Sequence, residues 1–157
     1  MTAMSAPLCP DFALPAHDGS EFQLSQQTQP VLLFFYPKDN TPGCSTENQE
    51  FAALYHEFVA LGVVVCGVSR DSVKTHQNFA AKLALPFPLL SDRDEVLCQA
   101  LEVMKQKQMY GKTVRGIERS TFLITPQGQI VQAWRGVKAA GHAQTVLTAL
   151  QAHFAVG

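Results

Sequence analysis

The sequence predicts an α/β domain, on three observations. Val31 to Tyr36 and Val63 to Val68 are continuous apolar runs, too short for helices, and read as strands buried on both faces. Between them Phe51, Leu54, Tyr55 and Phe58 recur at i, i+3, i+4 and i+7, the spacing of one buried helical face. Strand, helix and strand with short joins imply a right-handed parallel βαβ unit.

The other elements follow in chain order. Phe12-x-Leu14 and Phe22-x-Leu24 alternate around Asp18-Gly19, a turn signal, and predict an N-terminal hairpin. Cys9 precedes it and is expected in a mobile tail. Pro37, Asn40, Pro42 and Gly43 place a loop after the first apolar strand, and the helix carrying Phe51 is expected to run to Leu61-Gly62. Ser69 to Ser72 cap a second helix, roughly Val73 to Leu85, with Phe79 and Leu83 on its buried side. Phe87 to Leu90 reads as a short strand. Asp92 to Leu101 reads as a short helix carrying Val96, Leu97, Ala100 and Leu101, with Cys98 beside that stripe. Lys105 to Gly116 is polar and basic and reads as an exposed loop. Arg119 to Thr125 and Gln129 to Arg135 are strands around the turn Pro126-Gln127-Gly128, and Val146, Leu147, Leu150 and Phe154 mark a closing helix. The order β-α-β-α, an inserted piece, then β-β-α is that of a thioredoxin-like fold. Here an N-terminal hairpin and an insertion before the final hairpin and helix enlarge it. No linker or repeat divides residues 1–157, so one domain is expected.

Composition narrows the function classes. Apolar residues make up 46%, which excludes a disordered chain. A net charge of −1 gives no electrostatic reason to expect nucleic acid or an anionic membrane as partner. No apolar run approaches a membrane span, and Met1 to Pro7 lack the basic start and apolar stretch of a secretion signal. The four cysteines, Cys9, Cys44, Cys66 and Cys98, are scattered rather than framed for disulfides, so a reducing cytoplasm is the expected compartment. The histidines form no close i, i+4 pair and no cluster with cysteine, so a zinc site is not expected. No cofactor is expected.

Chemistry concentrates at Cys44. It falls in the first turn of a helix, at the carboxyl end of a buried strand, where parallel α/β sheets usually carry their sites. Unpaired N–H groups and the helix dipole there favour a thiolate, the nucleophilic form of cysteine. Pro42 suits a helix start because it has no N–H to leave unsatisfied. Thr41 offers a hydroxyl to the sulfur or to an oxygen bound beside it. Glu47, three residues on, shares the helix face and opposes a thiolate, so a cation is required from elsewhere. Arg119, at the start of a later strand, can reach a neighbouring loop, but on position alone it reads as a surface arginine at a strand end, and Arg115 as a solvated charge. The plain alternative is a buried structural cysteine beside an ordinary helix.

The segment Pro37-x-x-x-Thr41-x-x-Cys44 resembles the peroxidatic-cysteine motif of peroxiredoxins, and Tyr36 to Cys44 in full resembles their bacterioferritin comigratory, or peroxiredoxin Q, branch. Gly111-Lys112-Thr113 and Gly116 to Ile124 are similar to that branch's later motif, in the same order. The resemblance implies the same thioredoxin-like fold and a thiol peroxidase without metal. Cys44 would attack a hydroperoxide, with Thr41 and Arg119 catalytic and Pro37, Pro42, Gly43 and Glu47 shaping the substrate site. It implies thioredoxin, glutaredoxin or a small thiol as reductant, and a monomer. The chain departs from the branch in one respect. Five residues after Cys44, where many members place a resolving cysteine, stands Gln49, and Val73 to Leu85, the other place, contains none. One-cysteine cycling with an external thiol is therefore expected, with Cys98 the internal alternative.

Competing readings fail on particular residues. A dithiol oxidoreductase needs C-x-x-C, and Cys44-Ser45-Thr46-Glu47 ends in glutamate. A Cys-His hydrolase needs a histidine base, and none stands at a strand end aimed at Cys44. A stoichiometric redox sensor would use the same cysteine and differs in lacking turnover.

Overall fold

The computed structural model describes residues 8–156. The N-terminal stretch 1–7, which bears on the secretion-signal reading, lies outside them. Among the described residues no helix is long and apolar enough to cross a membrane.

The hairpin pairs β1 (Ala13–Pro15) with β2 (Glu21–Gln23), and Gly19 takes the positive φ of 91° that its turn requires. The central strand β3 (Val31–Phe35) is buried throughout. It runs parallel to β4 (Val64–Ser69), which pairs in parallel with β5 (Leu89–Ser91). On the other side β3 pairs antiparallel with β8 (Ser120–Ile124), and β8 with β9 (Ile130–Trp134), giving the sheet order β5-β4-β3-β8-β9. This is the expected thioredoxin-like arrangement.

Alternation along β3 sends successive side chains to opposite faces. Leu32, Phe34 and Tyr36 join a core with helices α1 (Pro42–Ala53), α2 (Tyr55–Ala60), α3 (Val73–Leu83) and α5 (His142–Val156). Val31, Leu33 and Phe35 face a second core under the N-terminal hairpin and α4 (Val96–Ala100). Cys44 belongs to the first core; Cys9, Cys66 and Cys98 belong to the second.

Several expectations need correction. Cys9 is not in a free tail: its N–H donates to the Gly128 carbonyl at 2.6 Å and it is 4% exposed. A turn distant in sequence holds it, which no local pattern reveals. The helix after Cys44 kinks at Leu54 (φ −100°, ψ 6°), without proline or glycine, while Phe51 and Phe58 stay buried on either side with rings 5.7 Å apart. Helix α3 ends at Leu83 because Ala84 turns left-handed. The short helix starts only at Val96, where the Asp92 carboxylate accepts from the Leu97 and Cys98 N–H groups. Val96 is exposed there and Cys98 fully buried, the reverse of the sequence reading. Finally, the polar stretch read as loop is a hairpin, β6 (Met104–Met109) with β7 (Lys112–Ile117). Positive φ at Tyr110 and Gly111 forms its two-residue turn. Ile117 and Met104 at its base meet the core, but Lys105 to Gln108 and Lys112 to Arg115 are exposed, so apolar alternation is absent.

Candidate active site

The strand register assembles the site. Phe35 pairs with Ser120 across β3 and β8, so the preceding residue, Arg119, stands level with the carboxyl end of β3, where the loop to α1 departs. Thr41 is the N-cap of α1, Pro42 its first residue and Cys44 its third. The first intrahelical bond runs from Ser45 N–H to the Thr41 carbonyl, 2.8 Å. Helix geometry therefore leaves the Gly43 and Cys44 N–H groups without intrahelical acceptors. Thr41 does not cap them: its hydroxyl donates to the Lys38 carbonyl at 2.8 Å instead. The sequence reading aimed that hydroxyl at the sulfur; here it closes the loop, with its oxygen lone pairs left to accept.

Cys44 is 1% exposed, and both terminal nitrogens of Arg119 lie 3.7 Å from its Sγ. Arg119 Nη1 also donates to Glu47 Oε1 at 2.6 Å. Glu47 is fully buried and its other oxygen has no hydrogen-bond partner. Burial pushes its carboxyl up to about 7 against the opposing pull of Arg119. Gly43 leaves room for the guanidinium: a Cβ there would lie 3.0 Å from Arg119 Nη2. Pro37 is half-buried at the end of the strand, and Pro42 is exposed at the helix start.

Arg115 is elsewhere and is not free. It pairs with Glu95, which also binds Arg70 at 3.1 Å, and these donors hold the Glu95 carboxyl down at about 2. Cys98 is not at the site either: it lies beyond the central sheet, and burial pushes its thiol well above the usual range.

Two histidines come close that the sequence did not single out. His142, at the start of α5, bonds Thr121 Oγ1 at 2.7 Å; burial and then the Arg119 charge lower it to about 4, so it is neutral. His76 stands in a row with Asp39 and Asp71 whose ligand atoms lie within 4.8 Å of one another. All three side chains are already engaged by protein partners, which makes the row a hydrogen-bond network rather than an open cation cage. The legible signal was position: His76 shares a helical face with Phe79 and Ala80, all buried.

Comparison with known proteins places the geometry. A model described as the AhpC/TSA family matches residues 7–133. Peroxiredoxin Bcp of Xanthomonas campestris is 62% identical over 123 residues, 78% of this chain and 77% of the relative. A structure of the bacterioferritin comigratory protein of the same organism, described for its alkyl peroxide reduction activity, superposes with a TM-score of 0.85 at 54% identity. It covers 91% of this chain and 92% of its own. PrxQ of Xylella fastidiosa superposes with a TM-score of 0.88 at 47% identity, over 98% and 99% of the two chains.

Proposed function

We propose, for a chain that belongs to the AhpC/TSA family among the Bcp-type peroxiredoxins, a one-cysteine peroxidase cycle carried by Cys44. The protein is a thiol peroxidase. The observation that carries the peroxide step is the Arg119 guanidinium 3.7 Å from a sulfur at the N-terminus of α1.

The Cys44 thiolate attacks the terminal oxygen of a hydroperoxide in line with the O–O bond, forming S–O as O–O breaks. Negative charge moves along that line onto the leaving oxygen. Arg119 and the Gly43 and Cys44 N–H groups are placed to stabilise that charge, while the Thr41 oxygen, its own proton spent on the Lys38 carbonyl, is left to accept from the hydroperoxide O–H. The leaving alkoxide or hydroxide takes a proton and departs as alcohol or water, leaving Cys44 as sulfenic acid. Glu47 holds the guanidinium in place, and Pro37 and Pro42 direct the loop that borders the site. Hydrogen peroxide and organic hydroperoxides are both substrates in this reading, the latter supported by the activity described for the Xanthomonas protein.

An external thiol then condenses with the sulfenic acid, losing water, and a second thiol releases Cys44 by exchange. The external route is supported by placement: Cys9, Cys66 and Cys98 all lie across the sheet from Cys44. Thioredoxin, glutaredoxin or a small thiol would serve as donor, to one monomeric domain acting in a reducing cytoplasm.

The test is peroxide consumption with intact mass after stoichiometric peroxide and a sulfenic-acid trap. Wild type is expected to gain one oxygen, trapped at Cys44, and Cys44→Ser to consume nothing. Turnover by Cys44→Ser comparable with wild type would sink the reading.

A further inference from the structure

Tyr36, Asp39 and His76 form a buried chain that the peroxide chemistry does not use. The Tyr36 hydroxyl donates to Asp39 Oδ1 at 2.5 Å, and His76 Nδ1 lies 2.6 Å from Asp39 Oδ2, with both of the latter side chains fully enclosed. His76 Nε2 is 3.0 Å from the Leu90 carbonyl, which only accepts, so Nε2 carries a proton. A second proton stands between Nδ1 and Oδ2, since two bare lone pairs at that distance would repel. One carboxyl group thus joins the end of the central strand to α3.

The same turn is held at further points. The Asp39 N–H donates to Asp71 Oδ2 at 2.9 Å, an oxygen that also accepts from the Ser69 hydroxyl. Asn40 sits at φ 61°, in the left-handed region that asparagine tolerates better than other side chains. Its side chain accepts from Lys82 Nζ of α3 at 2.6 Å. Burying an Asp–His pair is costly compared with apolar filling of the same space. What the pair adds is direction, in a loop without ladder or helix bonds of its own.

We propose that His76 is a positioning residue. Acting through Asp39, it clamps the Lys38–Thr41 turn onto α3, and so sets both where the first turn of α1 presents Cys44 and how readily that turn opens. The second effect rests on the one-cysteine reading. Cys44 is 1% exposed, so a thiol bulkier than a peroxide reaches its sulfenic acid only when the first turn moves. Loosening the clamp therefore acts oppositely on the two half-reactions: peroxide attack slows as the thiolate is misplaced, and access by a bulky reagent rises.

The experiment measures single-turnover oxidation of Cys44 by hydrogen peroxide and, separately, labelling of reduced Cys44 by an aromatic nitrobenzoate disulfide, both read by quench and mass. In His76→Ala and Asp39→Ala, oxidation is expected to slow by about 10-fold to 100-fold, the scale of a small displacement of a reacting atom, while labelling accelerates. Asp39→Asn is the rescue. Its amide oxygen accepts from Tyr36 and its NH2 donates to Nδ1 of a ring protonated at Nε2, so both rates should return close to wild type. His76→Gln keeps volume in case His76→Ala does not fold, and is expected to shift both rates in the same directions. Unchanged oxidation and labelling in folded Asp39→Ala and His76→Gln, with only a lower melting temperature, would overturn the proposal and leave the peroxidase reading standing. So would an Asp39→Asn as impaired as Asp39→Ala. Failure of wild type to oxidise at Cys44 would instead remove the reading on which the clamp rests.

Discussion

At Cys44 the sulfur meets a guanidinium from one side and unspent helix donors from its own chain, so negative charge there is stabilised by a cation and by backbone N–H groups together. Arg119→Ala removes the charged donor and is expected to slow peroxide attack by about 10²-fold or more, measured by single-turnover oxidation. Arg115→Ala should leave that rate near wild type, because Arg115 spends its charge on Glu95. Glu47 supplies a pH signature. Its carboxyl loses its proton at the ordinary value of 4.5 when unfolded and at about 7 when folded. The folded state therefore holds the proton more tightly. Its stabilising contribution is complete below 4.5 and is lost as pH rises through about 7. Against Glu47→Gln, which does not titrate, wild type should lose relative stability across that window by up to about 3 kcal/mol, at about 1.4 kcal/mol per pKa unit. Denaturant melts of both proteins at a series of pH values measure this; wild type gaining stability relative to Glu47→Gln as pH rises would reverse the assignment.

Among the elements, α1 owes its function to how it begins. Gly43 gives the guanidinium room: an added Cβ would stand 3.0 Å from Arg119 Nη2, so the side chain must give way. Gly43→Ala is expected to reduce the oxidation rate by about tenfold or more, as a displaced charged donor does. Helix propensity favours alanine there by up to about 1 kcal/mol, so the melting temperature should hold or rise. A matching fall in stability and rate would point to a misfolded helix instead. In the sheet, Gly67 of β4 lies where a Cβ would be 2.8 Å from Leu89 Cδ2 and 2.9 Å from Phe34 Cζ. Gly67→Ala should cost about 1–3 kcal/mol by overpacking, read as a lower denaturation midpoint. The elements also show what local pattern misses. Strands with buried faces were legible from their apolar runs. The hairpin of β6 and β7 was not, because its exposed Lys and Gln side chains carry no alternation and only the paired positive φ of Tyr110 and Gly111 reveals the turn.

Across the whole molecule the central sheet separates the cysteines, with Cys44 on one face and Cys9, Cys66 and Cys98 on the other. Cys98→Ser is expected to turn over peroxide like wild type with a small-thiol donor, and non-reducing mass spectrometry should find no Cys44–Cys98 bridge. A bridge forming rapidly at low peroxide would overturn one-cysteine cycling, since a disulfide needs Cα atoms within about 7 Å. By itself the sequence determined the strand–loop–helix unit that carries Cys44 and the class of fold, because apolar runs, helical spacing and loop-forming residues are local and act on neighbours in the chain; Arg119 was selected only through the resemblance of its motif to a known family. Only the tertiary structure decided that Thr41 closes the loop, that Arg115 is spent on Glu95, that His76 grips Asp39, and that Cys98 lies behind the sheet. Those outcomes depend on strand register and on which side of a sheet a helix packs, and register and packing are settled between segments tens of residues apart.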